Sequence, residues 1–424
     1  MGCAYWSDGL ETVVASVTSR GSNQIGFAWG ATMKTDTDTR LGLAHPNVLS
    51  AAWLGVVAPQ GVLVMPLIVS DLSGRLGLSI SESGIFASAA LGGACCAGIL
   101  QAATVTTASW RFNAILFAIL LVASYAALAL GTSYWFSVLF MFTAGAGIGA
   151  LLALAFTAIE QTGHQVRATG LMFGAQAAVG SLLATLIPAL SGVSHEAVYV
   201  VLVATSTTAF FAAPFLGSRP VRTIAAPVKT AAPVTSNSLS LLLALLGWGC
   251  INFANGGFWP LIGELALKTG QTNAAVGGAV SAALACSIVG GFFAMLVGHR
   301  WGDLPPLLVI GAGTVVSVIG IVAGAGSVGF VASMCLFGFL WNFGPPYQIP
   351  IISRNDDSGR GMPLALVFMK LFMAVGPTIY GFVAECAGAL PAGLIAAAMA
   401  TLSTILLAGL AVTRRNRPAP AIVS

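Results

Sequence analysis

The chain has 424 residues, of which 57% are hydrophobic and only 7% are charged, and its formal net charge is +4. Soluble domains carry about 25% charged residues, so this chain lacks the charge to cover a surface that faces water. The composition excludes a soluble globular protein, and a modest net charge without a basic run argues against a nucleic-acid partner.

The first 48 residues differ from the rest of the chain, because they are polar, mixed in charge and without a continuous apolar core. They lack the short apolar region and the cleavage site of a signal peptide. We predict that residues 1–48 form a cytoplasmic tail without stable structure. A start at Met33 would shorten this tail to a conventional length.

Apolar stretches of about 20 residues, the length of a helix that crosses the hydrocarbon core, follow one another along the rest of the chain. A segment rich in Pro, Ala and Thr divides them into two sets of six. We predict an all-α membrane protein with 12 transmembrane helices, comprising an N-terminal bundle (49–216), a cytoplasmic linker (217–237), a C-terminal bundle (238–412) and a cytoplasmic tail (413–424). The predicted spans are 49–69, 84–106, 112–130, 135–158, 168–190, 197–216, 239–262, 274–297, 305–325, 328–349, 363–383 and 389–412.

The basic residues predict the orientation of these spans. With the N terminus in the cytoplasm, all of the 17 Lys and Arg residues except Arg75, Lys268 and Lys370 fall in cytoplasmic segments. Cytoplasmic loops of membrane proteins carry an excess of Lys and Arg, and an odd number of spans would destroy this asymmetry. The sequence therefore predicts twelve spans in the inner membrane with both termini in the cytoplasm.

The two sets of six spans resemble each other in sequence. Gly84 begins the pattern Gly-x3-Ser-Ala-Ala-Leu-x6-Gly in the second span, and Gly277 begins the same pattern in the eighth. Upstream, Pro-Leu-Ile at 66–68 matches Pro-Leu-Ile at 260–262, with one residue of slack. Repeats of this kind are typical of secondary transporters, whose substrate site lies between the repeats near the middle of the membrane.

The cytoplasmic loop after the eighth span reads His-Arg-Trp-Gly-Asp at 299–303. It is similar to the Asp-Arg-x-Gly-Arg signature of the major facilitator superfamily, whereas the loop after the second span has almost lost that signature. With its six plus six spans and central linker, the chain resembles a transporter of this superfamily over residues 49–412. The resemblance implies two pseudo-symmetric six-helix bundles, a central cavity lined by spans 1, 4, 7 and 10, and gating roles for Arg300 and Asp303.

Polar and aromatic side chains of the predicted spans are the first candidates for substrate binding. The candidates are Gln60 in the first span, Gln176 in the fifth, Asn252, Asn255 and Trp259 in the seventh, and Trp341, Asn342 and Tyr347 in the tenth. The three candidates of the seventh span share one helix face by their spacing. The alternative role is hydrogen bonding between helices, which Asn and Gln provide in many membrane bundles.

Lys370 is the one basic residue inside a predicted span, about 12 Å along the eleventh helix from its cytoplasmic end. A charge at this depth is costly, and the sequence places no carboxylate at mid-span to neutralise it. We predict that its ammonium faces the cavity and attracts an anionic substrate. The alternative is a side chain that reaches back to the cytoplasmic interface.

Acid–base pairs occur at the outer ends of the first and seventh spans, and the repeat makes them equivalent: Asp71 with Arg75, and Glu264 with Lys268. Their i, i+4 spacing suits a local ion pair if the helix continues that far. The alternative is an extracellular gate in which Asp71 pairs with Lys268, and Glu264 with Arg75, across the two halves.

No enzymatic activity is expected, because the sequence has no phosphate-binding loop and its four histidines lie outside the spans. No cofactor or metal is expected either, because the seven cysteines lack metal-ligand spacing. We expect a monomeric secondary transporter in the lipid bilayer that takes up a small organic anion such as a carboxylate, with a proton as the candidate coupling ion. Two alternatives stay open: efflux of drugs or hydrophobic metabolites by proton antiport, and a non-transporting membrane sensor or assembly protein.

Overall fold

The computed structural model describes residues 45–104, 109–131, 133–160, 165–191, 196–216, 238–298, 300–323, 326–356 and 361–415. All regular elements within these ranges are helices. Most of the predicted N-terminal tail, the predicted linker and His299 lie outside the described residues. The prediction of an all-α chain is confirmed for the part that the structure describes.

Within these ranges the structure has twelve helices, here numbered α1 to α12, which correspond to the twelve predicted spans. Eleven of them are long and apolar enough to cross a membrane, and α1 is the twelfth if its two arms, bent by 43°, count as one span. The helices are α1 (Pro46–Val57, Gln60–Leu63 and Met65–Leu76), α2 (Ile80–Thr104), α3 (Trp110–Leu130), α4 (Tyr134–Glu160), α5 (Gln165–Ser191), α6 (Ala197–Thr207, Ala209–Ala212 and Ala213–Phe215), α7 (Ser238–Asn252, Phe253–Gly257, Trp259–Leu261 and Ile262–Lys268), α8 (Asn273–Val297), α9 (Leu304–Val322), α10 (Gly326–Phe343 and Pro345–Arg354), α11 (Gly361–Ala387) and α12 (Ala389–Arg415).

Helices α1 and α7 are broken at equivalent places, and each continues beyond its predicted end. Proline lacks the N–H that a helix interior needs, so Pro66 leaves the carbonyl of Val62 without its helical donor. In α7 a π-helical turn at Phe253–Gly257 precedes Pro260. Both helices then run on to Leu76 and Lys268, so the acid–base pairs predicted at their ends lie on helices.

The internal repeat is visible in how helices pack within each half. In the first half, α4 approaches α2 so closely that a side chain at Gly145 would strike the carbonyl of Ala90. In the second half, α10 approaches α8 in the same way, with Gly338 against the carbonyl of Ala283. Each residue of the second pair follows its counterpart by 193 positions. Small residues permit this approach, which drives helix association in lipid by van der Waals contact.

Large apolar side chains cover the outer surface of both halves. Leu130, Trp135 and Phe211 are each more than 70% exposed, and many other Leu, Phe and Val side chains of the described helices are similarly placed. A soluble protein does not present so much contiguous apolar surface to water. The surface fits a hydrocarbon solvent, and the molecule is a multi-pass membrane protein.

Candidate functional site

The two halves are joined along two seams, where α5 meets α8 and where α2 meets α11. In the first seam Thr185 Oγ1 and Ser281 Oγ are 2.6 Å apart. In the second seam Thr378 Oγ1 donates to Ser88 Oγ at 2.8 Å. Ser281 follows Ser88 by 193 positions, and Thr378 follows Thr185 by the same number. The two hydroxyl pairs are therefore equivalent under the internal repeat, and each pair joins one half to the other.

Glycines of the repeated motif allow the helices of each seam to come together. A side chain at Gly84 would strike the carbonyl of Pro377 and come within 3.3 Å of Gly381 Cα. A side chain at Gly277 would lie 2.5 Å from the ring of Pro188. The sequence pattern Gly-x3-Ser thus has a physical cause: the glycine permits contact between halves, and the serine one turn later bonds across it.

Further contacts close the same end of the molecule, where the α1–α2 and α7–α8 connections lie. Ser73 Oγ donates to Glu264 Oε2 at 3.2 Å, from α1 to α7. The indole of Trp259 donates to the carbonyl of Val62 at 3.0 Å, which supplies the donor that Pro66 cannot provide. The hydrogen bonds that join described residues of the two halves all lie toward this end, which we call the closed end.

Toward the opposite end, which we call the open end, the seams separate. On α5, Gly170 and Gly174 lie on the same face as Thr185, and neither has any atom within 4 Å of the position that a Cβ would occupy. On α2 the same holds for Gly92, one turn beyond Ser88, and Ile99 farther along that face is 48% exposed. The two halves therefore meet at one end and diverge at the other.

A cavity lies between the halves, next to the closed end. The empty space between its lining atoms, including the part that is open to solvent, is about 550 Å³. Helices of both halves contribute to its wall. The lining residues are Val62, Leu63, Phe173, Gln176, Ala177, Trp259, Ala283, Leu284, Ser287, Phe337, Gly338, Trp341 and Asn342.

Three aromatic side chains of the second half form one wall of the cavity. The rings of Trp259 and Phe337 are nearly parallel, at an interplanar angle of 10° and a centroid distance of 6.0 Å. Trp341 meets Trp259 edge to face at 6.0 Å and lies 5.9 Å from Phe337. Trp259 is held by its hydrogen bond to Val62, so the cluster is fixed in position.

Three polar side chains of the cavity wall remain available to a solute as far as the described residues show. The side-chain amides of Gln176 and Asn342 and the indole N–H of Trp341 have no hydrogen bond to any other described residue. An amide supplies both donors and an acceptor, and an indole supplies one donor. The cavity therefore offers hydrogen bonds, chiefly from N–H donors, beside an aromatic wall and without a charged side chain among its lining residues.

The remaining predicted binding residues of the first, seventh and tenth spans do not line this cavity. Gln60 is buried, and its Nε2 donates to the carbonyls of Val56 and Gln176, where α1 is broken. Asn252 donates to a carbonyl of its own helix, and the buried Asn255 Oδ1 has no hydrogen-bond partner in the described part of the chain. Tyr347 is buried and its hydroxyl donates to the carbonyl of Ala294.

Lys370 lies in the other seam, at the level of the cavity. It follows Ala177, a cavity residue of α5, by 193 positions, so the repeat places it at the equivalent depth on α11. It shares a helix face with Thr378, two turns away, which contacts α2. The residue as a whole is half-buried, its electrostatic neighbour is the Cys95 thiol of α2, and no carboxylate among the described residues pairs with it. Lys370 thus faces the gap between the halves but is not part of the cavity wall.

The predicted gating residues form contacts mostly within one half. Arg75 Nε bonds Asp71 Oδ2 at 2.9 Å, which is the local pair, and the hydroxyl of Tyr199 donates to the same carboxylate oxygen at 2.9 Å. Glu264 crosses to the first half, but its partner there is Ser73 rather than Arg75. Lys268 is exposed at the end of α7. The cross-half pairing of Arg75 with Glu264 is not formed in this conformation.

At the open end, the loop that resembles the family signature is tied to its own half. Asp303 forms an ion pair with Arg354, at the end of α10. Arg300 is exposed. Both partners of the ion pair are partly exposed, so the pair stabilises the loop only weakly.

Two groups of residues at this site were not singled out from the sequence. Phe173, Phe337 and Ser287 lie in apolar helices, and only the rotation of those helices directs them to the cavity. The threonines of the two hydroxyl pairs also carried no signal of their own. Their serine partners did, because Ser88 and Ser281 belong to the repeated motif.

Comparison with solved structures identifies the fold. The chain is similar to a bacterial homologue of the human lysosomal transporter Spinster, in an inward-facing and unoccupied conformation, with a TM-score of 0.62 and 12% identity over 90% of this chain and 100% of that one. It is also similar to a mutant of the nucleoside transporter NupG, with a TM-score of 0.66 and 13% identity over 86% of this chain and 98% of that one.

The chain has the major facilitator superfamily fold. The fold predicted from the repeat and the span count is therefore confirmed. No family model matches the sequence, and no curated protein matches it either. At 12–13% identity the likeness concerns the fold and not the substrate.

Proposed function

We propose that this protein is a secondary transporter that moves a small organic solute by alternating access. The observation that supports this most directly is the position of the cavity between the two halves: the inter-half hydrogen bonds of the described residues lie in its wall or toward the closed end, and none lies toward the open end. A rocking motion that breaks these bonds and closes the opposite end would expose the cavity to the other side of the membrane.

We infer that the closed end faces the outside. The positive-inside distribution of Lys and Arg assigns the open end, where Arg111, Arg300 and Arg354 lie, to the cytoplasm. The structure then corresponds to an inward-facing state of a carrier in the inner membrane. The gate that must open for uptake is the set of outer contacts, above all the two hydroxyl pairs.

The proposed substrate is a small organic anion such as a carboxylate. Lys370 supports this, because it has no carboxylate partner among the described residues, and a lysine so placed between the halves attracts an anion into the gap. The N–H donors of Gln176, Asn342 and Trp341 can then bind the carboxylate oxygens within the cavity. Drug or metabolite efflux remains the second candidate, favoured by the aromatic wall and the absence of charge among the lining residues.

The proposed coupling ion is a proton carried by Glu264. Its carboxylate is half-buried and accepts a hydrogen bond from Ser73 across the halves. Protonation of Glu264 would neutralise the carboxylate and weaken this inter-half hydrogen bond. Proton binding would therefore favour opening of the outer end. Glu385 offers a control, because it also accepts a bond from the other half, at 3.0 Å from Ser81 N, but is fully exposed.

The function is tested by uptake of a panel of radiolabelled aliphatic and aromatic monocarboxylates into proteoliposomes, with and without a pH gradient. We expect saturable uptake of at least one acid that increases when the interior is alkaline. Glu264→Gln should abolish the effect of the gradient, whereas Glu385→Gln should retain it.

The role of Lys370 is tested in the same assay. Lys370 attracts the anion by its charge across the gap, and unit charges about 12 Å apart attract each other by about 1.4 kcal/mol at an effective dielectric constant of about 20. Lys370→Met should therefore weaken the apparent affinity about 10-fold. The matched control Lys229→Met, in the linker predicted from the sequence, should leave it unchanged. Uptake of a neutral drug-like solute but of no acid would favour the efflux alternative, and no flux of any solute would favour a non-transporting protein.

A further inference from the structure

Aromatic rings form one side of the cavity wall, whereas aliphatic side chains form most of the rest of its apolar surface. Trp259, Phe337 and Trp341 supply three ring surfaces on one side, and Phe173 adds a fourth ring from the first half. Most of the remaining apolar wall consists of side chains without rings, namely Val62, Leu63, Ala177, Ala283 and Leu284. A flat solute could lie against the rings, whereas a thicker saturated ring would gain less from them.

The three rings of the aromatic cluster are not in close contact with one another over their whole surface. Trp259 and Phe337 stack on each other, but their centroid distance of 6.0 Å, and the 6.0 Å and 5.9 Å distances to Trp341, lie toward the upper end of the range for paired rings. Trp341 is only half-buried although it lies between the halves, and its N–H has no partner among the described residues. A ring face and a donor therefore remain available at the same place.

Asn342 adds the polar part of the site. It follows Trp341 in the chain and lines the same cavity, and its amide has no partner among the described residues. In the first half the equivalent position, 193 residues earlier, is Gly149, which packs against the carbonyl of Ala94. The repeat thus places a small packing residue in one half and an unpaired amide in the other.

We propose that the solute is an aromatic carboxylate, whose ring lies against Trp341 and Trp259 and whose oxygens accept hydrogen bonds from Asn342 and Gln176. This inference rests on the proposed transport of an organic anion and specifies its body. A saturated acid of equal size and charge would satisfy the amides equally but would lose the ring contacts. Aromatic preference and anion transport can therefore fail separately.

The experiment is equilibrium dialysis of the purified, detergent-solubilised full chain with two matched pairs of acids. The pairs are benzoate with cyclohexanecarboxylate, and 2-naphthoate with its decahydro analogue. Two aromatic rings in contact attract each other more strongly than their buried area alone predicts. We therefore expect the aromatic acid of at least one pair to bind about 3- to 10-fold more tightly than its saturated partner.

Variants assign the preference to the wall. Trp341→Leu should reduce the ratio within that pair to near one, mainly by weakening the aromatic acid, and Trp341→Phe should retain most of it. Trp135→Leu, at a lipid-exposed tryptophan of α4, should leave the ratio unchanged.

Equal binding within both pairs, or a ratio that survives Trp341→Leu, would overturn the aromatic proposal while the anion proposal stands. Failure of all four acids to bind would overturn the aromatic proposal as well. Transport of other acids in the proteoliposome assay would then show whether the proposed function survives.

Discussion

The two hydroxyl pairs predict how the conformational equilibrium can be shifted. Thr185→Val and Thr378→Val keep the shape of each side chain but remove the hydroxyls that bond Ser281 and Ser88 across the halves. A hydrogen bond of this kind contributes about 0.5–1.5 kcal/mol, so the double variant should lose about 1–3 kcal/mol of the free energy that favours the closed outer end. This corresponds to a shift of about 5- to 150-fold toward the outward-open state.

The assay is pulsed electron–electron resonance between spin labels at Ser133 and Ser327. Both serines are exposed at the closed end, one in each half. The labels are introduced in a background whose seven cysteines are replaced by alanine. We expect a longer distance population that is minor in the parent and increases in each single variant and further in the double variant.

A matched control distinguishes the loss of the two hydroxyl pairs from a general effect of replacing threonine. Among the described residues, the Thr401 hydroxyl donates only to the carbonyl of Ala397 in its own helix, so Thr401→Val should leave the distance distribution unchanged. If the double variant is folded and its distribution matches that of the parent, the hydroxyl pairs do not hold the halves together and the reasoning is refuted.

Three further predictions concern packing and charge. Gly84→Ala should disrupt the α2–α11 seam because its Cβ would strike the carbonyl of Pro377, so solute uptake should fall, whereas Gly92→Ala, with empty space around it, should transport normally. Asp71→Asn leaves the guanidinium of Arg75 without its counter-charge and should lower the free energy of unfolding by about 1–3 kcal/mol. The loss should appear as a lower melting temperature, and an unchanged melting temperature would mean that the ion pair does not contribute to stability. Trp259→Phe removes the donor to the Val62 carbonyl and should favour outward opening, which an unchanged distance distribution between the spin labels would contradict.

Much of the fold could be predicted from the sequence, because lipid imposes strong constraints. A span needs about 20 apolar residues and basic residues stay on the cytoplasmic side, which together give the count of twelve. The repeated Gly-x3-Ser motif indicated the duplication, but not that Gly84 and Ser88 are the contact between halves. The contact between halves depends on which helices face each other, and no local pattern in a single sequence indicates this.

The cavity could be predicted only in part, for a related reason. Trp259, Trp341 and Asn342 were identified as polar or aromatic residues in cavity-facing spans, Gln176 was a separate candidate in the fifth span, and the structure brings the four together. Gln60 met the same criterion, but its amide is used to satisfy carbonyls at the break in α1. A polar residue in a membrane helix can donate to an unpaired backbone carbonyl as readily as it can bind a ligand, and only the geometry distinguishes the two roles.

The central claim, that the two halves rock about the cavity, is tested most directly by locking one seam. Ser88→Cys and Thr378→Cys place two thiols where the hydroxyls are 2.8 Å apart, within reach of a disulfide, in the cysteine-free background. Uptake of the best-transported carboxylate of the panel into proteoliposomes should fall to the level of empty liposomes on oxidation and return on reduction. Undiminished uptake with the crosslink complete would contradict alternating access through this seam.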